Sequence, residues 1–321
     1  MTADPSETLL LGALSLDRYQ PDGPVLPGGG ALNMAWHWRS LDVSFRLVTR
    51  VGDGEADVFL DMLRRHGIDH LPDSIVADGP SASIDIEFLE DRQPWMDHYV
   101  EGVCADLRFT AEEDRALIGA RRLHAILVEG VIAEIGRLGQ EGRLGHLEVV
   151  ADFLGFRHYT LERFRDTMRW VDLAFVGWPG SPDDAIVAGL RDAVTDLGKR
   201  LVITFGSQAV LAIDGAEGGR EWSIPVTPAP VTGTTVGCGD AFIAYFLAEW
   251  WRRGDLVAAV EHGKVGGALP TAWIRPLPDE AYDSRLFRRE RAGWKPPRER
   301  HPGFGRQRTR CRVDGSAGRD Q

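Results

Sequence analysis

From residue 123 the chain alternates short apolar runs with stretches that read as helix, and that alternation leaves few folds open. Residues 124–128, 146–153, 173–176 and 201–205 have the character of strands, with helical stretches such as 183–197 between them. Strands joined by helices cross over and run parallel, so the pattern implies an α/β fold with a parallel sheet covered on both faces. The first half adds an apolar run at 9–16, read as a buried first strand, and a Pro- and Gly-rich loop. It also adds a helix over 31–41, a strand over 45–51 and a helix over 56–66 that stops at Gly67. Residues 83–99 differ. Ile84, Ile86 and Phe88 alternate with Asp85, Glu87 and Leu89, the period of a half-exposed strand, and a small sheet projecting from the body is expected there.

A length of 321 residues suits one large α/β domain or two small ones. No apolar run reaches the roughly 18 residues of a membrane helix. Residues 1–7 carry Asp4 and Glu7 but no Lys or Arg, unlike a secretory signal, so a cytoplasmic chain is expected. Cys104, Cys238 and Cys311 are odd in number and far apart, which argues against a disulfide framework or a zinc site. From Arg285 onward there are 12 Lys and Arg against 4 Asp and Glu, a net charge of +8; the −11 of the whole chain leaves −19 for the rest. A body that acidic is a poor nucleic-acid binder. The Arg- and Pro-rich tail, 285–321, has little apolar content and is expected to be disordered or loosely packed beside a domain spanning 1–284.

The most informative stretch is 234–251, TTVGCGDAFIAYFLAEWW. Gly237 and Gly239 permit a tight turn and a close ligand. The apolar run from Asp240 to Trp251 predicts a buried helix whose first turn presents unpaired N–H groups, an anion site. Asp240 at the same point could take a proton from a hydroxyl attacking a phosphoryl group. Alone, such a stretch could equally be a turn with Asp240 as a helix cap.

Taken with the rest of the chain, it resembles the D-T-x-G-A-G-D signature of the ribokinase-like (PfkB-type) carbohydrate kinases. Thr235, Gly237, Gly239 and Asp240 match, and Cys238 stands for the usual Ala. Pro27-Gly28-Gly29 with Asn33 and Ala35 resembles the family's P-G-G-x-x-x-N-x-A. Gly52-Asp53, Asp17 and Thr204-Phe205-Gly206 fall in the family's order, over residues 8–284. The resemblance implies a three-layer ribokinase-like domain with a mostly parallel sheet and a small β lid built from segments near 13–25 and 80–103. It also implies ATP and Mg²⁺ as cofactors, a sugar as acceptor, and possible pairing of two copies through the lid. By the same resemblance, Asp240 is the catalytic base, and Gly237, Cys238 and Gly239 supply the anion hole. Asp17, Gly28, Gly29 and Asn33 hold the acceptor, while Thr204, Gly206 and Thr235 border the nucleotide. A shorter likeness, Glu101-Gly102-Val103 with Ala105-Asp106, is to fructoselysine-type 6-kinases of that family.

Two positions depart from the pattern. Thr234 stands where the family keeps Asp, which speaks against a monovalent-cation site. Residues 176–180 (VGWPG) replace an N-x-x-E motif that helps organise Mg²⁺, with Asp183 or Asp184 as conceivable substitutes. Other nucleotide enzymes are excluded by motif. Gly198-Lys199 and Gly263-Lys264 lack the rest of a P-loop, and GGGALN at 28–33 is not a dinucleotide fingerprint. No HExxH occurs. The surviving alternatives are a nucleoside kinase, with Trp95 or Tyr99 stacking on a base, and a binding protein on a kinase scaffold.

Overall fold

A computed structural model describes residues 8–71, 75–89, 92–156 and 159–287. In chain order the elements begin with β1 (Thr8–Leu11), β2 (Ser15–Tyr19), β3 (Val25–Gly28), α1 (Gly30–Ser40), β4 (Arg46–Val48), β5 (Val51–Gly52), α2 (Ala56–Arg65) and β6 (Val76–Ala77). They continue with β7 (Ala82–Phe88), β8 (Pro94–Val100), α3 (Ala111–Gly119), β9 (Arg122–Ile126), α4 (Glu129–Gln140), β10 (Glu148–Asp152), α5 (Leu161–Met168) and β11 (Leu173–Gly177). The last are α6 (Ala185–Leu197), β12 (Arg200–Thr204), β13 (Ala209–Asp214), β14 (Arg220–Pro225), α7 (Cys238–Arg253) and α8 (Leu256–Ala268).

The central sheet has the order β14-β13-β12-β11-β10-β9-β1-β4. It is parallel from β4 to β12 and antiparallel at β13 and β14. Both faces are buried, and the period of two sorts each strand between two cores. Leu9, Leu11, Val149, Ala151, Leu201 and Ile203 join the core under α3 to α6. Leu10, Val150 and Val202 join the one under α1, α2, α7 and α8. A second sheet, β3-β2-β7-β8, forms the lid.

Several boundaries move from their expected places. The run 9–16 is not one strand. β1 ends at Leu11, residues 12–14 carry the chain out of the main sheet, and β2 belongs to the lid. The stretch 45–51 likewise splits into β4 and β5. Strand β3 extends the first lid segment to Gly28, beyond the window at 13–25. Helix α7 starts at Cys238, with Gly237 as its cap residue at φ 79°, so Asp240 sits in the first turn and is not the cap. The basic tail from 288 onward, with Cys311, lies outside the described residues.

The return from the lid is tied to α4. The Gly130 amide donates to Glu101 Oε1 at 2.6 Å, and a Cβ at Gly130 would fall 1.9 Å from the Cys104 carbonyl oxygen. Gly102 turns the chain at φ 54°. The Glu101-Gly102-Val103 likeness therefore marks a helix cap and a turn. Gly130→Ala is expected to lower the free energy of unfolding by about 1–3 kcal/mol. Gly136→Ala in the same helix, whose Cβ would meet nothing within 4 Å, should raise it by up to about 1 kcal/mol. Denaturant titration of the two variants checks the contrast.

Candidate active site

Parallel strands of the central sheet end on one cavity of about 440 Å³. Ala13 beyond β1, Ile126 of β9, Asp152 of β10, Gly177 of β11 and Thr204 of β12 lie along its floor, as expected at the carboxyl edge of an α/β sheet. The lid roofs it with Asp17, Ile84, Ile86, Met96 and Tyr99.

Two helices aim their first turns into this space. Each follows a glycine with positive φ, Gly29 at 95° before α1 and Gly237 at 79° before α7. Asn33, in the first turn of α1, donates from Nδ2 to Asp240 Oδ2 at 2.7 Å. The approach is close enough that a Cβ on Gly30 would come 3.1 Å from Asp240 Oδ1. The amides of Gly239 and Asp240 belong to the first turn of α7, where a helix has no carbonyl to offer them.

Three carboxylates line the cavity, and no Lys, Arg or His is among the lining residues. Burial pushes Asp240 up to about 6, opposed by the Asn33 hydrogen bond. Burial pushes Asp17 up to about 7, against the hydrogen bond from Ser15 and with the Asp240 charge adding to the rise. Asp152 also rises to about 7, through burial and then the Asp240 charge. Ser15 Oγ donates to Asp17 Oδ1 at 2.7 Å, and the Leu154 amide donates to Asp152 Oδ1 at 2.8 Å.

Of the residues singled out in the sequence, Asp17, Gly29, Asn33, Thr204, Gly237, Gly239 and Asp240 meet on the cavity wall. Four stand off it. Gly28 lies behind Asp17, where a Cβ would fall 2.1 Å from the carboxylate, so it makes room for that side chain. The Cys238 amide is taken by the Thr235 carbonyl at 3.3 Å. Gly206 is an exposed turn residue at φ 59°. Thr235 Oγ1 donates to Gln93 Oε1 at 2.8 Å, at the tip of the lid hairpin.

Thr234 makes a related contact. It is 1% exposed, and its hydroxyl donates to the Arg92 carbonyl at 3.2 Å. The Arg92 guanidinium in turn donates to the Thr232 carbonyl. The loop before α7 is thus clasped by the lid. Asp184 does not replace the missing N-x-x-E. Its Oδ2 accepts from Trp178 Nε1 at 2.8 Å and from the Ser181 amide at 2.9 Å, and neither Asp183 nor Asp184 lines the cavity. Trp95 is 50% exposed and stands off the wall, whereas Tyr99 is on it. Asp152 belongs to none of the motifs; its signal in the sequence is an Asp closing the short apolar run Val149-Val150-Ala151 at the edge where α/β sheets bind ligands.

The profile described as pfkB family carbohydrate kinase matches residues 173–270. Fructoselysine 6-kinases of Shigella flexneri and Escherichia coli are each 26% identical over 254 residues, covering 79% of this chain and 92% of theirs. In fold, the chain is similar to ribokinase from Thermotoga maritima, with a TM-score of 0.68, 16% identity, and coverage of 89% of this chain and 99% of that one. Adenosine kinase from Sinorhizobium meliloti gives a TM-score of 0.72 at 17% identity, covering 86% and 96%.

The three raised carboxyls bind protons more tightly in the folded chain than at their ordinary value of 3.8. They therefore favour the fold at low pH, and that contribution is lost as pH rises from about 4 through 7. Asp17→Asn, which keeps an acceptor for Ser15, should raise the thermal midpoint at pH 8 by several degrees and leave it unchanged at pH 4. Calorimetry at the two pH values checks this.

Proposed function

We propose that this chain, similar over residues 173–270 to the pfkB family of carbohydrate kinases, is a phosphotransferase that moves the γ-phosphoryl group of ATP to a hydroxyl of an amine-bearing sugar, a fructosamine. The observation that carries the reading is Asp240, held by Asn33 at 2.7 Å in the first turn of a helix aimed into the cavity. The acceptor hydroxyl gives its proton to Asp240 as its oxygen bonds to the γ-phosphorus. The bond from that phosphorus to its bridging oxygen breaks, and ADP leaves with the electron pair. The first-turn amides of α7 face the charge that develops on the phosphoryl oxygens. Gly237 and Gly239 leave backbone, not side chain, at that point.

Asp17 and Asn33 bind the acceptor in this reading. The Asn33 Oδ1 atom is buried without a partner among the described residues, while its Nδ2 is engaged by Asp240. A cavity with carboxylates and no cation on its wall favours an ammonium on the substrate, and the fructoselysine 6-kinase relatives agree with that chemistry. Of the two aromatics that could stack on a nucleoside base, Tyr99 is on the wall and Trp95 is off it.

The donor set present for a divalent ion is carboxylate oxygen, which suits a hard cation such as Mg²⁺. Among the described residues no group of three ligating side chains forms a cage. Bound Mg²⁺ would supply neutralisation of phosphate charge, with the phosphates themselves as most of its ligands.

ADP release should be measured with fructosamines, plain sugars and nucleosides. Turnover is expected with a fructosamine and should fall by about 10²–10⁴ in Asp240→Asn. Turnover of nucleosides alone would overturn the substrate class. With the base titrating near 6, kcat/KM should fall about tenfold per pH unit below that value, and a pH–rate profile tests it.

A further inference from the structure

Asp152 is a buried cavity carboxylate that the proposed reaction leaves without a task. It is 5% exposed and closes β10. One of its oxygens accepts from the Leu154 amide, and its second oxygen has no hydrogen-bond partner among the described residues. Strand β10 lies between β9 on the acceptor side and β11 and β12, which lead to Thr204. Asp152 therefore stands near the middle of the cavity, where its charge and that of Asp240 act on each other.

That position is electrostatically unfavourable for a triphosphate. Two carboxylates share a buried wall that carries no Lys, Arg or His, and a further anion can enter only with a cation. The loop at 178–181 offers no carboxylate, because Asp184 is engaged by Trp178 and Ser181. Asp152 is the remaining lining carboxylate that neither serves as the base nor faces the acceptor from the lid.

We propose that Asp152 is a positioning residue for the divalent cation that accompanies the nucleotide, drawing it to the middle of the cavity beside Asp240. The inference rests on the kinase reading. If Asp152 only anchored the turn at Leu154, its charge would be irrelevant to metal and Asn would replace it fully.

Binding of a non-hydrolysable ATP analogue, AMP-PNP, should be measured by calorimetry with and without Mn²⁺, and bound Mn²⁺ by water-proton relaxation. In Asp152→Asn, Mn²⁺ affinity in the ternary complex should weaken by about 10- to 100-fold. Metal-free AMP-PNP should bind no worse, because a repelling charge has gone. Asp152→Glu, which keeps the charge, should restore much of the Mn²⁺ affinity and covers the case in which the Asn variant does not fold. Unchanged Mn²⁺ affinity in Asp152→Asn overturns the inference while leaving the kinase reading intact. Absence of AMP-PNP binding to the unaltered protein under all conditions overturns both.

Discussion

The hydrogen bond from Asn33 to Asp240 joins two helices through residues 207 positions apart in the chain. It can form only because α1 and α7 both begin at the carboxyl edge of the sheet and pack side by side. Farther along the same pair, Trp38 Nε1 donates to the Ala244 carbonyl at 3.1 Å and fixes their relative height. A carboxylate buried without a cation is costly. Asn33 reduces that cost while leaving the other Asp240 oxygen towards the cavity, so the group is kept both ionisable and accessible.

The lid acts on the same place from the opposite side. Thr234 and Thr235 bond to Arg92 and Gln93, so the loop that leads into α7 is held by the hairpin that roofs the cavity. Where the family pattern has Asp at 234, this chain has a hydroxyl that is 1% exposed and satisfied. A carboxylate there would face the Arg92 carbonyl, and the two acceptors would repel. The departure at 234 and the clasp are thus two aspects of one local arrangement.

The layered fold was legible because the parallel strands β9 to β12 are short apolar runs that alternate with helical stretches. Those patterns depend on neighbours in sequence. Boundaries that depend on distant contacts were not legible. The run 9–16 is uniformly apolar, and nothing local shows that the chain changes sheets at Gly12. Asn33 and Asp240 were singled out through motifs of fixed spacing, and Asp17 through its place just after the first strand. Asp152 has no such motif, since its place in the cavity comes from the strands on either side of it. Gly28 and Cys238 belong to motifs, yet one is packed behind a carboxylate and the other has its amide occupied.

The passage from β1 to β2 bears on how such a protein can diversify. The lid is not an appended module, because its first strand is the continuation of a central strand. At Gly12 a Cβ would come 3.0 Å from the Ala31 Cβ and 3.2 Å from the Ile126 Cβ, so the crossing point is itself tightly packed. Exchange of the whole lid between relatives would cut the chain inside this core, and the β7–β8 hairpin is packed in as well, since a Cβ at Gly102 would fall 2.3 Å from the Pro80 carbonyl oxygen. Change in the roof of the cavity is thus more readily made by substituting side chains on β2, β7 and β8 than by exchanging the sheet that carries them.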